Sequence, residues 1–280
     1  MKVVNIEELK YAKHLIQMVI KQYLTSLILV SDGGLGKSFL VQQQVEKHIP
    51  KKYVYRSGHV TPLALYKLLY NNKDKVIILD DVEELLDNEV NIGILKSAMW
   101  NVNGKRVVTF ETTSEKADGV PNLFEFEGGI IILCNIIPKQ NNPIMKALTS
   151  RTAQHYVQIP YHRKIQIMNQ LIDSKDELTK TDKRILKSVL KERTSECTDN
   201  FNLRTAEKLI SYYLYNKKHY KSRKQLYLGL FEATNEKDED KYLVKQLTHK
   251  YSSVKKQVSK FQEKTGKSRA TFFRIKKSLK

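Results

Sequence analysis

A glycine-rich loop between an apolar strand and a helix is the feature that most constrains this chain. Residues 25–30 end in the run Leu-Ile-Leu-Val, residues 31–38 read Ser-Asp-Gly-Gly-Leu-Gly-Lys-Ser, and residues 39–48 have a helical pattern. The loop nearly matches the pattern G-x-x-x-x-G-K-[ST], with Ser31 in place of the first glycine. A loop of this kind turns its backbone N–H groups toward phosphate oxygens, and the following helix directs its N-terminus at the anion. The spacing therefore predicts a phosphate-binding site.

The residue types in this loop suit a nucleotide bound together with a divalent metal. Glycines let the backbone curl around phosphate oxygens, and Lys37 supplies a positive charge to the β- and γ-phosphates. The hydroxyl of Ser38 can ligate Mg²⁺. We therefore expect ATP and Mg²⁺ as cofactors. The residues expected to contact the nucleotide here are Gly33, Gly34, Leu35, Gly36, Lys37, Ser38 and Phe39.

A second apolar strand ends in two carboxylates. Residues 76–79 read Val-Ile-Ile-Leu and are followed directly by Asp80 and Asp81. Such a strand, placed beside the first one, brings its carboxylates to the metal. We expect Asp80 to hold Mg²⁺ through water and Asp81 to polarise the attacking water.

The order of the remaining elements predicts the fold class. Strands and helices alternate as far as Pro160, and only helices follow, at residues 162–173, 180–191 and 203–215. This order predicts an α/β protein, with a parallel sheet covered by helices and then a small helical domain. Within the first part we expect one long helix over residues 83–100 and a hairpin formed by residues 105–112 and 123–126.

Positive charge is concentrated near the C-terminus. The chain has 49 Lys and Arg against 30 Asp and Glu, a net charge of +19, and residues 216–280 carry 19 basic and 6 acidic residues, or +13. A nearly balanced body with a basic appendage predicts a polyanionic partner, of which nucleic acid is the commonest.

The last residues have the outline of a helix-turn-helix. Val254, Val258 and Phe261 repeat along one helix, a glycine turn follows, and Ser268 can cap a second, basic helix. Residues 265–274 resemble the turn and recognition helix of resolvase-type DNA-binding modules. The alternatives are a solvated lysine-rich helix and a basic surface for an acidic protein. The residues expected to contact DNA are Lys267, Ser268, Arg269, Thr271, Arg274, Lys276 and Lys277.

Taken together, residues 25 to about 215 resemble the AAA+ ATPases. The glycine-rich loop is similar to their Walker A motif, and residues 76–81 are similar to Walker B. Residues 130–135 resemble the sensor-1 strand, which implies that Asn135 lies near the γ-phosphate and the attacking water. The resemblance thus implies a P-loop sheet with a helical lid.

The same resemblance implies roles for two arginines. Residues 147–152 resemble the segment with the arginine finger, which implies that Arg151 completes the site of an adjacent subunit. Residues 201–204 resemble the start of the third lid helix, which implies that Arg204 reaches the nucleotide. A shared site implies a homo-oligomer, either a ring such as a hexamer or a helical assembly.

The chain departs from the family pattern at two positions. Ser31 replaces the first Walker A glycine, which the exit from a strand should tolerate. Asp81 stands where the family usually has glutamate, and its shorter side chain predicts slow hydrolysis. Compensation by Glu83 or Glu84 stays open at this point.

These observations predict three domains and a role on DNA. We expect a nucleotide-binding core over residues 1–160, a helical lid over 161–217 and a basic helix-turn-helix-like module over 218–280. The resemblance implies a DNA-stimulated ATPase in replication, helicase loading or mobile-element DNA handling, with a replicative helicase or another replication protein as a partner. The alternatives are a nucleotide-gated DNA-binding regulator with little hydrolysis, a DNA helicase and a protein remodeller.

Composition argues against secretion and membrane insertion. Two cysteines cannot form a disulfide framework, and no apolar run approaches the roughly 20 residues of a membrane helix. The first residues contain no apolar signal stretch. We therefore expect a protein of the cytoplasm, or of the host cytoplasm if a virus encodes it.

Overall fold

A parallel five-stranded sheet organises the first part of the chain. In this computed structural model the strands are β1 (Ser26–Ser31), β2 (Tyr53–Ser57), β3 (Val76–Asp80), β4 (Val107–Thr109), β5 (Leu123–Glu125), β6 (Ile130–Cys134) and β7 (Ala153–Val157). The parallel sheet has the order β2-β3-β6-β1-β7, and β4 pairs with β5 separately. Its central strands β1, β3 and β6 are buried along their whole length, as parallel strands covered on both faces are. The predicted α/β class is confirmed.

The structure describes residues 7–111, 119–196, 198, 201–217, 240–248 and 250–279. The chain divides between Gln158 and Ile159 into two compact units. This division lies two residues before the predicted end of the core at residue 160. The other predicted boundary, between residues 217 and 218, borders residues outside the described ranges, so the three-domain division stays a prediction.

Helices cover the sheet of the first unit. A 3₁₀ turn at Glu7–Leu9 precedes α1 (Lys10–Ile20), α2 (Lys37–His48), α3 (Pro62–Asn71), α4 (Glu83–Asp87), α5 (Glu89–Met99) and α6 (Pro143–Thr149). One continuous core joins the sheet to α3, α5 and α6 through fully buried residues such as Leu65, Ile77, Leu95, Ile132 and Leu148. This core fixes the carboxyl ends of the strands in place.

The prediction of one long helix over residues 83–100 is wrong. Asn88 interrupts it with an extended backbone, at φ −96° and ψ 118°, and separates α4 from α5. Its side-chain oxygen accepts hydrogen bonds from the N–H groups of Val90 and Asn91 at 3.0 and 3.1 Å. An asparagine that can cap the next helix competes with helical continuation, which the apolar period alone does not reveal.

The predicted hairpin between β3 and β6 is present. Strands β4 and β5 are antiparallel, with Val108 opposite Phe124, and both side chains are buried. The intervening residues 112–118 lie outside the described ranges. The hairpin therefore contributes one apolar face to the core of the first unit.

The second unit is helical. It begins with α7 (Tyr161–Asp173), α8 (Lys180–Arg193) and α9 (Leu203–Lys217), which pack around one apolar cluster that includes Met168, Leu186, Leu209 and Tyr213. A capping box starts α8, because Thr179 and Asp182 each bind the other's backbone N–H. All three predicted helices of this part are present within two residues of their expected ends.

Three further helices form a separate small core. Helical residues 240–248 (α10) precede α11 (Val254–Thr265) and α12 (Arg269–Ser278). Phe261 and Phe272 are fully buried and meet edge to face with ring centroids 5.5 Å apart. Of the three apolar residues that repeat along α11, Val258 and Phe261 are buried, whereas Val254 is 42% exposed, because the buried stretch of this helix begins at Gln257.

Helix α11 ends at the predicted glycine turn. Gly266 takes the left-handed conformation, at φ +67°, and Ser268 then caps α12 by accepting from the N–H of Thr271 at 3.2 Å. A residue with a side chain would be strained at this φ, so the glycine sets the angle between the two helices.

None of the helices that the structure describes is long and apolar enough to cross a membrane.

We predict that the buried Asp182 stabilises the second unit. Burial alone would raise the pKa of this carboxyl, but hydrogen bonds from Lys217, Tyr213 and Thr179 outweigh that effect and hold the pKa well below its usual range. The free energy of unfolding of the Asp182→Asn variant should be about 2 kcal/mol lower than that of the wild type, since a charged hydrogen-bond partner is lost. Urea unfolding followed by circular dichroism measures this change.

The matched control is Asp173→Asn, which removes a more exposed carboxylate that pairs with Lys187 in the same unit. It should cost less than about 1 kcal/mol. Because the folded-state pKa of Asp182 is depressed, its contribution is present above the unfolded pKa of about 4 and is lost as the pH falls toward the folded-state value. An Asp182→Asn effect that does not shrink on acidification contradicts this assignment.

Candidate nucleotide-binding site and basic module

The glycine-rich loop leaves β1 and enters α2 through two left-handed glycines. Gly34 has φ +73° and Gly36 has φ +86°, and Gly36 is the residue directly before α2. Other residue types are strained at these angles, so the glycines are required by the path of the loop. No side chain caps α2, so the first N–H groups of this helix are left for an anion.

Lys37 is the central charge of this site. Its side chain is buried, and its ammonium group donates to the carbonyl of Ser31 and, at 3.1 Å, to Oδ1 of Asn135. Burial lowers the pKa of Lys37, while the nearby Cys134, Asp80, Asp81 and Glu83 act in the opposite direction. A phosphate would supply both a counter-charge and hydrogen-bond acceptors for this lysine.

The two predicted metal ligands, Asp80 and Ser38, both lie beside the phenol of Tyr55. Asp80 ends β3, is 5% exposed, and accepts a hydrogen bond from the hydroxyl of Tyr55. The side chain of Ser38 lies close enough to the same phenol to lower its pKa. Burial, followed by the bond to Asp80, raises the pKa of Tyr55 to about 12. Tyr55 was absent from the predicted site, because it lies on a different strand and no motif marks it.

The donor set fits Mg²⁺ bound with a nucleotide. Mg²⁺ prefers oxygen ligands and usually takes one or two from the protein and the rest from phosphates and water. Asp80 and Ser38 supply such oxygens on either side of one hydroxyl group. Among the described residues, no group of three or more His, Cys, Asp and Glu side chains could hold a metal by itself. The site therefore suits a metal that arrives with phosphate.

Asp81 directly follows β3 in a left-handed conformation. Its φ is +51°, its side chain is exposed, and its N–H donates to the carbonyl of Leu133 on β6 at 3.2 Å. Aspartate tolerates this conformation better than most residues, although it still costs energy there. The bond to β6 holds Asp81 at the edge where the predicted nucleotide lies.

A hydrogen bond between Asn135 and Glu83 ties the end of β6 to the start of α4. The backbone N–H of Asn135 donates to Oε1 of Glu83 at 2.8 Å, and its side chain contacts Lys37. Glu84 points elsewhere, since its carboxylate pairs with His59 at 3.0 Å on the surface. Of the two glutamates left open by the sequence, only Glu83 contacts this site in the structure.

The contacts of the two predicted arginines are with residues outside this cluster. Arg151 donates to the carbonyl of Ala147, and its guanidinium lies 5.9 Å from the ring centroid of Trp100. Arg204 is exposed in the first turn of α9, where its backbone N–H donates to Asn202 at 3.0 Å. Arg204 belongs to the second compact unit. Their roles toward a nucleotide stay predictions.

The loop's other predicted contacts differ in exposure. Leu35 is buried at 2% exposure, whereas Phe39 is 51% exposed on α2. A Cβ atom built on Gly33 would lie 3.5 Å from Oδ1 of Asn135, so the loop passes within van der Waals distance of that side chain. The structure thus brings Gly33, Lys37 and Asn135 into one cluster.

The basic residues of the last helices fall into two groups. Lys267 pairs with Asp240 at 2.8 Å, and Lys276 donates to Gln257 at 2.9 Å, so both have partners inside the module. The charged groups that face solvent on α12 are Arg269, Arg274 and Lys277. Arg269 also lies 5.5 Å from the ring centroid of Phe273, which is 40% exposed.

Among the predicted DNA contacts, Ser268 and Thr271 have structural partners. The two hydroxyls lie 3.1 Å apart, and that of Ser268 caps α12. Asp240, the first described residue of α10, is only 8% exposed, and Lys267 compensates its charge.

Comparison with known proteins rests on structure alone, because no protein-family model and no curated protein matches the chain. A crystal structure of a DNA replication initiation factor superposes with a TM-score of 0.51 and 13% identity, covering 90% of this chain and 72% of that chain. The replication initiator DnaA bound to AMPPCP and single-stranded DNA gives 0.49 and 14%, covering 89% and 72%. The RuvB Holliday junction branch migration motor of Thermotoga maritima gives 0.49 and 14%, covering 94% and 83%.

At these identities the likeness concerns the fold. Of these three proteins, the DNA replication initiation factor has a TM-score above 0.5, so the inference about fold uses this protein. This chain's own fold is the parallel sheet β2-β3-β6-β1-β7, covered by helices, with the glycine-rich loop between β1 and α2. It is an α/β fold similar to that of the DNA replication initiation factor.

Proposed function

We propose that this chain binds ATP with Mg²⁺ at residues 31–38 and hydrolyses it while assembled on DNA. The observation that carries the proposal is the buried ammonium group of Lys37, held between the loop carbonyl of Ser31 and the side chain of Asn135. In open α/β sheets ligands bind outside the carboxyl ends of the strands, where these groups lie. The basic helices supply a surface for a polyanion.

Each residue of the cluster has a role in this reaction. Lys37 and the N–H groups at the start of α2 bind the phosphates, and Ser38 and Asp80 hold the metal. Mg²⁺ when bound neutralises phosphate charge and orients the transferred group. Asp81 orients the attacking water, and Asn135 holds Lys37 and the water in register. Arg151 of one subunit and Arg204 of the lid complete the site in an assembled oligomer.

A nucleotide-gated switch with little hydrolysis is the second candidate. Asp81 is one methylene shorter than a glutamate and is held by a left-handed backbone. Glu83, the side chain that would replace it, is already engaged with the N–H of Asn135. Both features favour slow turnover, which suits a protein that assembles with ATP and disassembles after hydrolysis.

The DNA surface is assigned to the exposed face of α12. Arg274 and Lys277 are three residues apart on one helix face, and Arg269 lies near its N-terminus. Lys267 and Lys276 are expected to contribute less, because each already has a partner within the module. Ser268 and Thr271 are suited to phosphate contacts at the helix start. The proposed setting is replication, helicase loading or mobile-element DNA handling, with a replicative helicase or similar protein as partner.

We predict that ATP turnover depends on Lys37 and Arg151 and is stimulated by DNA. The rate of phosphate release should fall at least about 100-fold in Lys37→Ala and in Arg151→Ala, since each removes a charge that stabilises the transferred phosphoryl group. The matched control is Lys47→Ala, which removes an exposed lysine from the other end of α2. Lys47→Ala should release phosphate at the wild-type rate, both without DNA and with duplex or single-stranded DNA.

Mixing the two inactive variants tests the shared site. Activity that returns on mixing places Arg151 in the site of a neighbouring subunit. Absence of recovery, with both variants still forming oligomers, assigns Arg151 to its own subunit. Wild-type turnover no faster than that of Lys37→Ala rejects the ATPase and favours the switch.

We predict that Arg274 and Lys277 contact DNA phosphates. The double variant Arg274→Ser with Lys277→Ser should bind DNA more weakly. Its plot of log K against log salt concentration should have a negative slope that is shallower by about 2 than that of the wild type. The control removes Lys10 and Lys13, an equally spaced and exposed pair on α1. Fluorescence anisotropy with labelled DNA measures both slopes. Equal slopes for the two double variants contradict the assignment of α12.

A further inference from the structure

Tyr55 connects the two residues that the proposed function assigns to the metal. Its hydroxyl donates to Oδ2 of Asp80 at the end of β3, and the side chain of Ser38 at the start of α2 lies beside the same phenol. Tyr55 itself lies on β2, the edge strand of the sheet, and pairs there with Ile78 of β3. Three separate elements thus meet at one hydroxyl group.

The chemistry of the three groups fixes the direction of these bonds. An ionised carboxylate only accepts, so the phenol proton is committed to Asp80. The phenol oxygen is then left to accept, so a hydroxyl group beside it, such as that of Ser38, can only donate to it. A Ser38 hydroxyl that donates in this way keeps a lone pair of its oxygen for a metal.

We propose that Tyr55 is a positioning residue for Mg²⁺. It orients the Ser38 hydroxyl and the Asp80 carboxylate toward a common metal position without touching the metal or the phosphates. Partners of this kind fix the orientation of metal ligands, and their removal typically costs 10–100-fold in metal affinity. The proposal rests on the proposed function, because it requires a nucleotide–metal complex in the loop.

Tyr53 provides a closely matched control on the same strand. It lies two residues before Tyr55, and its hydroxyl donates to Glu46 on α2, outside the metal cluster. Tyr53→Phe and Tyr55→Phe therefore remove the same atom from neighbouring positions on one face of β2. Because Tyr55 is 38% exposed on an edge strand, either substitution should leave the fold intact.

The test compares the affinity for a fluorescent ATP analogue in excess EDTA with that in excess Mg²⁺. For Tyr55→Phe we expect wild-type affinity in EDTA. The gain in affinity from EDTA to Mg²⁺ should be at least about tenfold smaller than in the wild type. Tyr53→Phe should match the wild type in both buffers. Circular dichroism confirms folding, and Tyr55→Met provides a second variant that lacks the hydroxyl.

Two outcomes overturn the proposal. In the first, Mg²⁺ raises the affinity by the same factor in wild type, Tyr55→Phe and Tyr55→Met. In the second, the Tyr55 variants lose the same affinity relative to wild type in both buffers, which indicates a structural role. A double variant with Ser38→Ala adds a further check. Because Tyr55 also orients Asp80, its loss should exceed that of Ser38→Ala alone but fall short of the sum of the two single losses. Failure of the wild type to bind the analogue in either buffer rejects the proposed function instead.

Discussion

A buried ammonium group at the start of a helix is the constraint on which the rest of this site depends. Lys37 is 6% exposed and lies where the N-terminus of α2 already concentrates positive potential. A charge in such a place requires acceptors, and the chain provides the carbonyl of Ser31 and the amide oxygen of Asn135. Both are groups that a bound phosphate could replace, as the proposed phosphate site requires.

The sheet brings the other functional groups to this lysine. Parallel pairing places the carboxyl ends of β1, β3 and β6 at one edge, with Asp80 opposite Leu133 in the register. Asp80, Asp81 and Asn135 are therefore neighbours although they are far apart in the chain. Glu83 then joins the start of α4 to the end of β6 through the N–H of Asn135. The core beneath keeps these ends fixed, as a preorganised site requires.

Local sequence patterns sufficed for the elements whose identity depends on near neighbours. The apolar runs before residues 31 and 80, the glycine turn at Gly266 and the cap at Ser268 all correspond to features of the structure. The interruption at Asn88 was missed because a helical period continues across it, and only the capping geometry separates the two helices. Patterns of hydrophobicity do not distinguish these cases.

Contacts between distant elements could not be read from the sequence. The bond from Tyr55 to Asp80 joins residues on two strands, and nothing in the run Tyr-Val-Tyr-Arg shows which tyrosine faces the loop. Lys267, in the turn between α11 and α12, pairs with Asp240 of α10, so one predicted DNA contact already has an acidic partner. Charge counts identify a basic module, whereas the fold decides which charges remain exposed.

The central claim is that Lys37 binds the phosphates of ATP. Isothermal titration calorimetry of ATP with Mg²⁺ tests it directly on wild type, Lys37→Ala and Lys47→Ala. We predict one nucleotide per chain for wild type and Lys47→Ala, and an affinity at least about 100-fold weaker for Lys37→Ala, equivalent to the loss of one charge-assisted phosphate contact. Equal affinity of Lys37→Ala and wild type, or no binding by the wild type, contradicts the account.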